Sequence, residues 1–503
     1  MESKWKKVNI DSIKSVQKYG CVGGPFGSSL SRKHYVENSG VPIIRGVNLS
    51  GDVFREENFV FVSEKKADEL HRNLAHANDI VFTQRGTLGQ VALIPDKPKY
   101  TRYVVSQSQM RLTVDLEKAD PYYVFSYFRL DSVKKRIEKS AIVGGVPHTN
   151  LGILKAFEID LPPLAIQKKI SEVVSNLDKK ITINNQTNQT LEQMAQTLFK
   201  SWFIDFDPVF DNLLAKADFK LENLASDFPE SLLKRAKQRL LALDDKAKTA
   251  LSSANLSSKV KSPEETLSEE ASQTNIHKHF PSEFEQTDDP TIGISGWIPK
   301  GWALSNTGNE FQIKGGSTPS TKNPDFWDGG EIHWTSPKDL SGNDTKIMLD
   351  TNRKITEQGL TKITSGLLPI DTVLMSSRAP VGYLALAKIP VAINQGYIAI
   401  TDAKTLSSEY TIQWLESVMD EIKSISGGTT FAEISKKTFK SIQIIIPNKE
   451  TVDAYTAFAK ANYQRITANV QEINTLTETR DYLLPKLISG EITLPDNQLS
   501  SET

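Results

Sequence analysis

PPLAIQKKISEVVSNLDKKITINNQTNQTLEQMAQTLF, residues 162–199, and PNKETVDAYTAFAKANYQRITANVQEINTLTETRDYLL, residues 447–484, are two versions of one pattern. They align without insertion or deletion at an offset of 285 residues. At that offset Ile181 meets Ile466, Asn184 meets Asn469, Thr190 meets Thr475, Leu191 meets Leu476 and Leu198 meets Leu483. In the first copy apolar residues recur at Ile170, Val174, Leu177, Ile181, Leu191, Ala195, Leu198 and Trp202, close to a heptad repeat. The second copy repeats the period with Val452, Ala459, Tyr463, Ile466, Val470, Ile473, Leu476 and Leu483. The shared phase places Asn184, Asn188 and Asn469 in the apolar seam, where a buried Asn costs stability but fixes register and partner orientation. A helix of this length runs ~57 Å at ~1.5 Å per residue, longer than packing on one lobe requires. The pattern therefore predicts two long coiled-coil helices, over 163–202 and 448–490.

Each copy closes a similar lobe. Gly144-Gly145 and then Phe157–Leu161 lead into the first, and Gly427-Gly428 and then Ile442–Ile446 into the second. Residues 1–162 carry strand-like runs at Val41–Ile44, Phe59–Val62, Asp79–Phe82, Val91–Ile94, Val104–Val105 and Phe157–Leu161, separated by turn residues. Tyr123, Val124, Tyr127, Phe128 and Ile137 are spaced for a helix over 121–139. Residues 297–447 repeat this order: Asp371-Thr-Val matches Asp79-Ile-Val, and Ser408–Ile425 takes the place of the 121–139 helix. Between them, 203–296 has no repeat partner. It reads as a connector with a short helix at 230–250 and a polar, Ser-rich, acidic and flexible stretch at 251–290. Residues 491–503 read as a disordered tail. The expected class is α+β: two similar α/β lobes separated by two long helices, related by an approximate twofold. Two different surfaces on one such chain suit two separated sites on duplex DNA.

The chain has 503 residues, enough for about three domains. Cys21 is the single cysteine, so no disulfide framework forms within the chain. The opening Met1–Lys7 lacks the apolar core of a signal peptide, and no run approaches the ~18 apolar residues of a membrane helix. These features predict a cytoplasmic protein with no membrane partner. The net charge of −1 argues against nucleic acid until the chain is divided. Residues 1–160 hold 24 Lys and Arg against 18 Asp and Glu, whereas 203–300 hold 12 against 17 and 301–447 hold 14 against 15. An acidic middle masks a basic first lobe, and any nucleic-acid contact of the second lobe is local or aided by a partner.

Four segments in order resemble the specificity subunit of a bacterial type I restriction–modification enzyme. They are Leu161–Ile170, opening the first long helix, and Leu198–Pro208 (LFKSWFIDFDP), closing it. The other two are Gly293–Trp302 (GISGWIPKGW), opening the second lobe, and Gly315–Trp334 (GGSTPSTKNPDFWDGGEIHW). The resemblance covers nearly the whole chain; the long insert at 211–290 departs from the common pattern. It implies that each lobe is a target recognition domain reading one half of a bipartite, asymmetric site in double-stranded DNA. The helices would pack antiparallel and set the gap between the halves. Two modification subunits would dock on the chain, carrying S-adenosylmethionine and adenine methylation, and two restriction subunits would join them. This chain would hold no cofactor, with ATP and magnesium also on the partners.

Residues shared by the two lobes are candidates for framework or phosphate contact, and residues that differ at matching positions are candidates for base readout. Arg85 matches Arg378, each followed four residues later by a glycine, with Gln84 and Ser377 beside them; Gln107 matches Gln395. Differences fall in three loops. The first contrasts Ser28, Ser29, Arg32, Lys33 and His34 with Lys314, Ser317, Thr318, Ser320, Thr321 and Lys322. The second sets Arg45-Gly-Val-Asn48 against Ser336-Pro-Lys338-Asp339. The third sets Val146-Pro-His148-Thr149 against Thr429-Thr430-Phe431. Arg pairs with guanine and Asn or Gln with adenine in the major groove. Trp202, Phe203, Phe206 and Asp207, just past the first long helix, form either a docking surface for a modification subunit or a helix-capping apolar cluster.

Two enzymatic patterns are approached in the sequence, and neither is complete. Pro324-Asp325 with Glu331-Ile-His333 approaches a metal-nuclease pattern, but histidine stands where the charge-stabilising lysine belongs. Asp160-Leu-Pro-Pro163 resembles a base-gripping methyltransferase loop only superficially, and no glycine-rich cofactor loop precedes it. Gly315–Lys322 lacks the second glycine of a P-loop. With one cysteine and seven scattered histidines, no metal cluster is expected.

Overall fold

The computed structural model describes residues 4–37, 39–142, 147–244, 247–249, 251, 276–343, 345–427 and 432–495. Most of the 251–290 stretch, most of the tail and the glycine turns at 144–145 and 428 therefore lie outside the described residues. The chain divides into two compact units, Met1–Ile183 with Ile473–Thr503, and Asn184–Glu472.

In the first unit Lys6–Asn9 pairs antiparallel with Glu158–Leu161, so the lobe's two ends are tied where the first long helix begins. A four-stranded antiparallel sheet runs in the order Cys21–Gly23, Gln109–Leu112, Ile80–Thr83, Val91–Leu93. A five-stranded sheet runs Tyr35–Val36, Val60–Val62, Val41–Ile44, Tyr103–Val105, Leu74–Ala75, with Val41–Ile44 and Tyr103–Val105 parallel. The second unit repeats the plan. Ala303–Asn306 pairs with Gln443–Ile446, and a five-stranded sheet runs Phe311–Lys314, Tyr397–Ala403, Thr372–Ser376, Leu384–Ala387, Ile347–Met348. A three-stranded sheet places Ile332–Thr335 between Arg353–Ile355 and Ala392–Ile393.

The strand Gln109–Leu112, absent from the apolar runs, is fully buried at the centre of its sheet. Gln109 and Arg111 disguise it in the sequence. Arg111 is tolerated there because Asp79 lies 3.3 Å away and the carbonyl of Tyr19 accepts at 2.5 Å. The helix expected over 121–139 is two, Pro121–Arg129 and Asp131–Lys139, broken at Leu130, whose ψ of 132° is extended. Its counterpart breaks at Val418, between Ser408–Ser417 and Met419–Ser424. The connector helix spans Glu230–Ala242 and packs on Asp207–Lys216, where Arg239 binds Asp211 with two hydrogen bonds of 2.7 and 2.8 Å.

The long helices span Leu164–Phe199, followed by a π turn at Lys200–Ile204, and Lys449–Ser489, which continues through Pro485. They pair antiparallel in each unit. In the first, Ile170 and Val174 share one buried cluster with Leu484, Leu487 and Ile488. There Asp178 accepts hydrogen bonds from Arg480 of the opposite helix and from Arg129 and Tyr122 of the lobe. Burial works against the Asp178 carboxylate, but these donors outweigh it and hold its pKa below the usual range. In the second unit the Tyr455 hydroxyl donates to the Ala195 carbonyl at 3.2 Å. The three asparagines lie buried in the seam as expected: Asn469 Nδ2 donates to Asn188 Oδ1 at 2.8 Å, whereas Asn184 Nδ2 donates to Glu472 at 2.9 Å. The place of the Asp178 clamp is taken there by Glu192, which accepts from Gln413, Tyr463 and Lys346.

Candidate nucleic-acid interface

In the first unit four loops leave the strand ends together. The first follows Cys21–Gly23, and the Gly24 N–H donates to the Gln109 carbonyl at 2.8 Å. The second is the turn Gly46–Leu49, and Gly46 lies against the Gln109 side chain. The third holds Gln84 and Arg85, whose N–H groups both point at the Ser108 carbonyl. The fourth carries His148, which forms a bridge with Arg85, and Thr149, whose N–H donates to the Gln84 carbonyl at 3.0 Å. A polar groove lined by the Gly46–Val47 turn, Arg55, Asn58, Arg85, Thr87 and Gln90 opens among them.

The second unit builds the same framework. Ser377 N–H donates to the Gly396 carbonyl as Gln84 does to Ser108, and Ile434 N–H donates to the Ser377 carbonyl as Thr149 does to Gln84. Ser336 N–H is capped by Asp339 at 2.9 Å, as Arg45 N–H is by Asn48 at 2.9 Å. The second loop is thus aligned as the sequence suggested, but the third is not. Bridges join Arg85 and Ile142 to His148, and Arg378 and Gly427 to Glu433. His148 therefore corresponds to Glu433, and Thr149 to Ile434, rather than to the 429–431 stretch; Thr429 and Thr430 lie outside the described residues. The register was hidden because the anchors, Ile142 and Gly427, share no side-chain character.

The candidates separate by exposure. Arg32, Lys33, Arg85, Lys314, Thr318, Ser320, Lys322, Lys338 and Gln395 are exposed. Arg378 is partly covered and faces the Glu433 carboxylate at 4.0 Å, whereas the matching neighbour of Arg85 is His148. Arg45 is half-buried and anchored by a 2.7 Å hydrogen bond to the Asn58 carbonyl. Asn48 does not offer its amide to a base. It is fully buried, and its Nδ2 donates to the carbonyls of Arg55 and Glu57 at 3.0 and 2.9 Å, shaping the turn that presents Arg45. Thr149 and Ser377 are buried too, and act through their backbone. Gln107 braces the first loop, its Nε2 donating to the carbonyls of Gly27 and Leu30; Gln395 accepts from Thr318 at 2.8 Å. Arg55, Thr87 and Gln90 in the groove were not singled out from sequence; Thr87 and Gln90 differ from Pro380 and Tyr383 at the matching positions but lie outside the three loops in which the contrasts cluster.

The aromatic cluster after the first long helix is core rather than docking surface. Trp202, Phe203 and Phe206 are 6, 4 and 1% exposed, and pack against Phe280, Tyr410, Tyr455 and Trp302. Asp207 is also buried, accepting from Ser201 and Arg235 at 2.9 and 2.5 Å. The π turn at Lys200–Ile204 swings these rings inward.

His333, of the nuclease-like pattern, pairs with Asp350 at 3.1 Å, and burial with Lys354 keeps it below its usual pKa despite that carboxylate. Among the described residues no group of three or more His, Cys, Asp or Glu side chains gathers as a metal site, and no helix is long and apolar enough to cross a membrane. Burial raises the Cys21 thiol to a pKa of about 11.

Residues 3–193 and 299–478 match the model of the type I restriction modification DNA specificity domain, once for each lobe and its adjoining helix. The chain belongs to this family of specificity subunits. It is 29% identical over 353 residues to the HindI specificity subunit of Haemophilus influenzae, covering 69% of this chain and 72% of the relative. It is 37% identical over 171 residues to the MjaIX specificity subunit of Methanocaldococcus jannaschii, covering 34% of this chain and 38% of that one. Its fold is similar to that of the type I restriction-modification S subunit from M. genitalium, with a TM-score of 0.53 at 14% identity over 96% of each chain. Membership in a family of specificity subunits sets aside both the nuclease and the methyltransferase alternatives.

Proposed function

We propose that this chain is the DNA-sequence specificity subunit of a type I restriction–modification complex, with residues 1–162 and 297–447 each reading one half of a bipartite, asymmetric site. The helices 163–202 and 448–490 set the gap. The chain itself is non-catalytic; it recruits two modification subunits, which bring S-adenosylmethionine, and two restriction subunits, which use ATP and magnesium, in the cytoplasm. The observation that carries this reading is the recurrence of one loop framework in both units with different residues at its tips: Arg45 against Ser336, His148 against Glu433. A shared framework with divergent tips suits two different half-sites read by one geometry. Exposed Arg32, Lys33 and Arg85 in the first lobe, and Lys314, Lys322 and Lys338 in the second, supply backbone attraction. The test is methylome mapping of cells with and without this chain. Loss of one bipartite methyladenine motif is the expected result; an unchanged methylome would overturn the reading.

A further inference from the structure

Phe26 is 91% exposed, at the tip of the first loop of the first unit. This exposure is not that of a loose segment. The Gly23 carbonyl accepts from Asn73 at 2.7 Å, the Gly24 N–H is tied to Gln109, and Gln107 holds the carbonyls on both sides of Ser28 and Ser29. Ser29 N–H closes the tip onto the Phe26 carbonyl at 2.9 Å. A Cβ on Gly24 would come within 2.0 Å of the Ser106 carbonyl, so the loop is seated directly on the sheet. Among the described residues no ring or cation stacks on Phe26, and exposed Ser28, Ser29, Arg32 and Lys33 follow it in the chain. The loop lies beside the Arg85 loop, with the Gln84 side chain 3.7 Å from the Cβ position of Gly23.

A planar apolar ring, stiffly mounted in a basic, polar loop, suits a base step that it can part and not a protein pocket. Apolar side chains presented in this way enter between stacked base pairs and kink the duplex. We propose that Phe26 is a wedge which inserts at a base step of the half-site read by the first lobe; this rests on the specificity reading above. Among the described residues the first loop of the second unit has no such ring. Gly316 takes the place of Gly24, and the equivalent of Phe26 is Thr318, held by Gln395.

The experiment uses the full chain assembled with its modification subunits and a duplex bearing the bipartite motif found by methylome mapping. 2-Aminopurine is placed in turn at each step of both half-sites. The adenines that the modification subunits flip should fluoresce in both half-sites; beyond them wild type should raise fluorescence at one further step of the first lobe's half-site, and F26A should abolish that further signal and weaken specific binding about 10-fold. F26W should keep the signal, and T318A should leave it unchanged. The exposed position makes F26A a safe variant for folding. A complex that binds the motif specifically with no unstacked step beyond the flipped adenines, or F26A that retains the further signal, overturns the wedge alone. A complex that does not prefer the motif over a scrambled duplex overturns the specificity reading and the wedge with it.

Discussion

The Asp178→Asn substitution removes one negative charge from a place where two guanidinium groups converge. Asp178 accepts from Arg129 at 2.5 and 3.2 Å and from Arg480 at 2.9 Å, with Tyr122 as a further donor. The Arg129 and Arg480 side chains are 8 and 16% exposed. Removing one partner of a buried pair strands the other, at about 3–5 kcal/mol. Asp178 is itself 21% exposed, so the low end, about 3 kcal/mol, applies. For a unit of this size that is a fall in Tm of about 6–12 °C. The folded pKa of Asp178 is lowered, so its contribution is present above the unfolded value near ~3.9 and lost as pH falls through the folded value. Wild type and variant should differ fully at pH 7 and converge below that range. Hydrogen exchange by mass spectrometry localises the effect: peptides over 121–139 and 473–489 should lose protection, and those of the second unit should not. A loss under about 1 kcal/mol, as for a surface ion pair, would refute the clamp; so would a loss of equal size at pH 7 and in acid.

Asn48→Ala strands buried backbone groups in the second loop and should destabilise the first unit by about 2 kcal/mol, read by urea denaturation. Trp202→Ala should cost the second unit about 3–5 kcal/mol in the same measurement. It should not selectively abolish capture of modification subunits by the folded chain. Arg85→Ala should weaken binding to specific and random duplexes alike and reduce the salt slope by about one.

The long helices were legible because a heptad repeat with its seam asparagines survives in sequence whatever the lobes do; the partners of those asparagines, Asn188 with Asn469 and Asn184 with Glu472, were not. The break at Leu130 was not, because the apolar spacing runs on through Val133 and Ile137 into the next helix. Nor was the strand holding Arg111, whose charge is offset by a residue 32 positions away. The loops were found by contrast between the lobes. Which of their residues face outward was not, since Arg45 and Asn48 are both polar residues suited to base contact and only the folded turn buries Asn48. An aromatic run such as 202–206 fits surface and core equally well until the π turn decides its direction. Phe26 escaped notice for the opposite reason: a phenylalanine beside strands reads as core.

On the proposed function each lobe reads its half-site independently on a common framework. The most direct test of that independence gives the first lobe the second lobe's identities at two equivalent tips, R45S with H148E, and maps the methyladenine motif. One half of the motif should change or relax, while the other half and the gap between them stay as in wild type. A motif altered in both halves, altered in its gap, or unaltered would contradict the account.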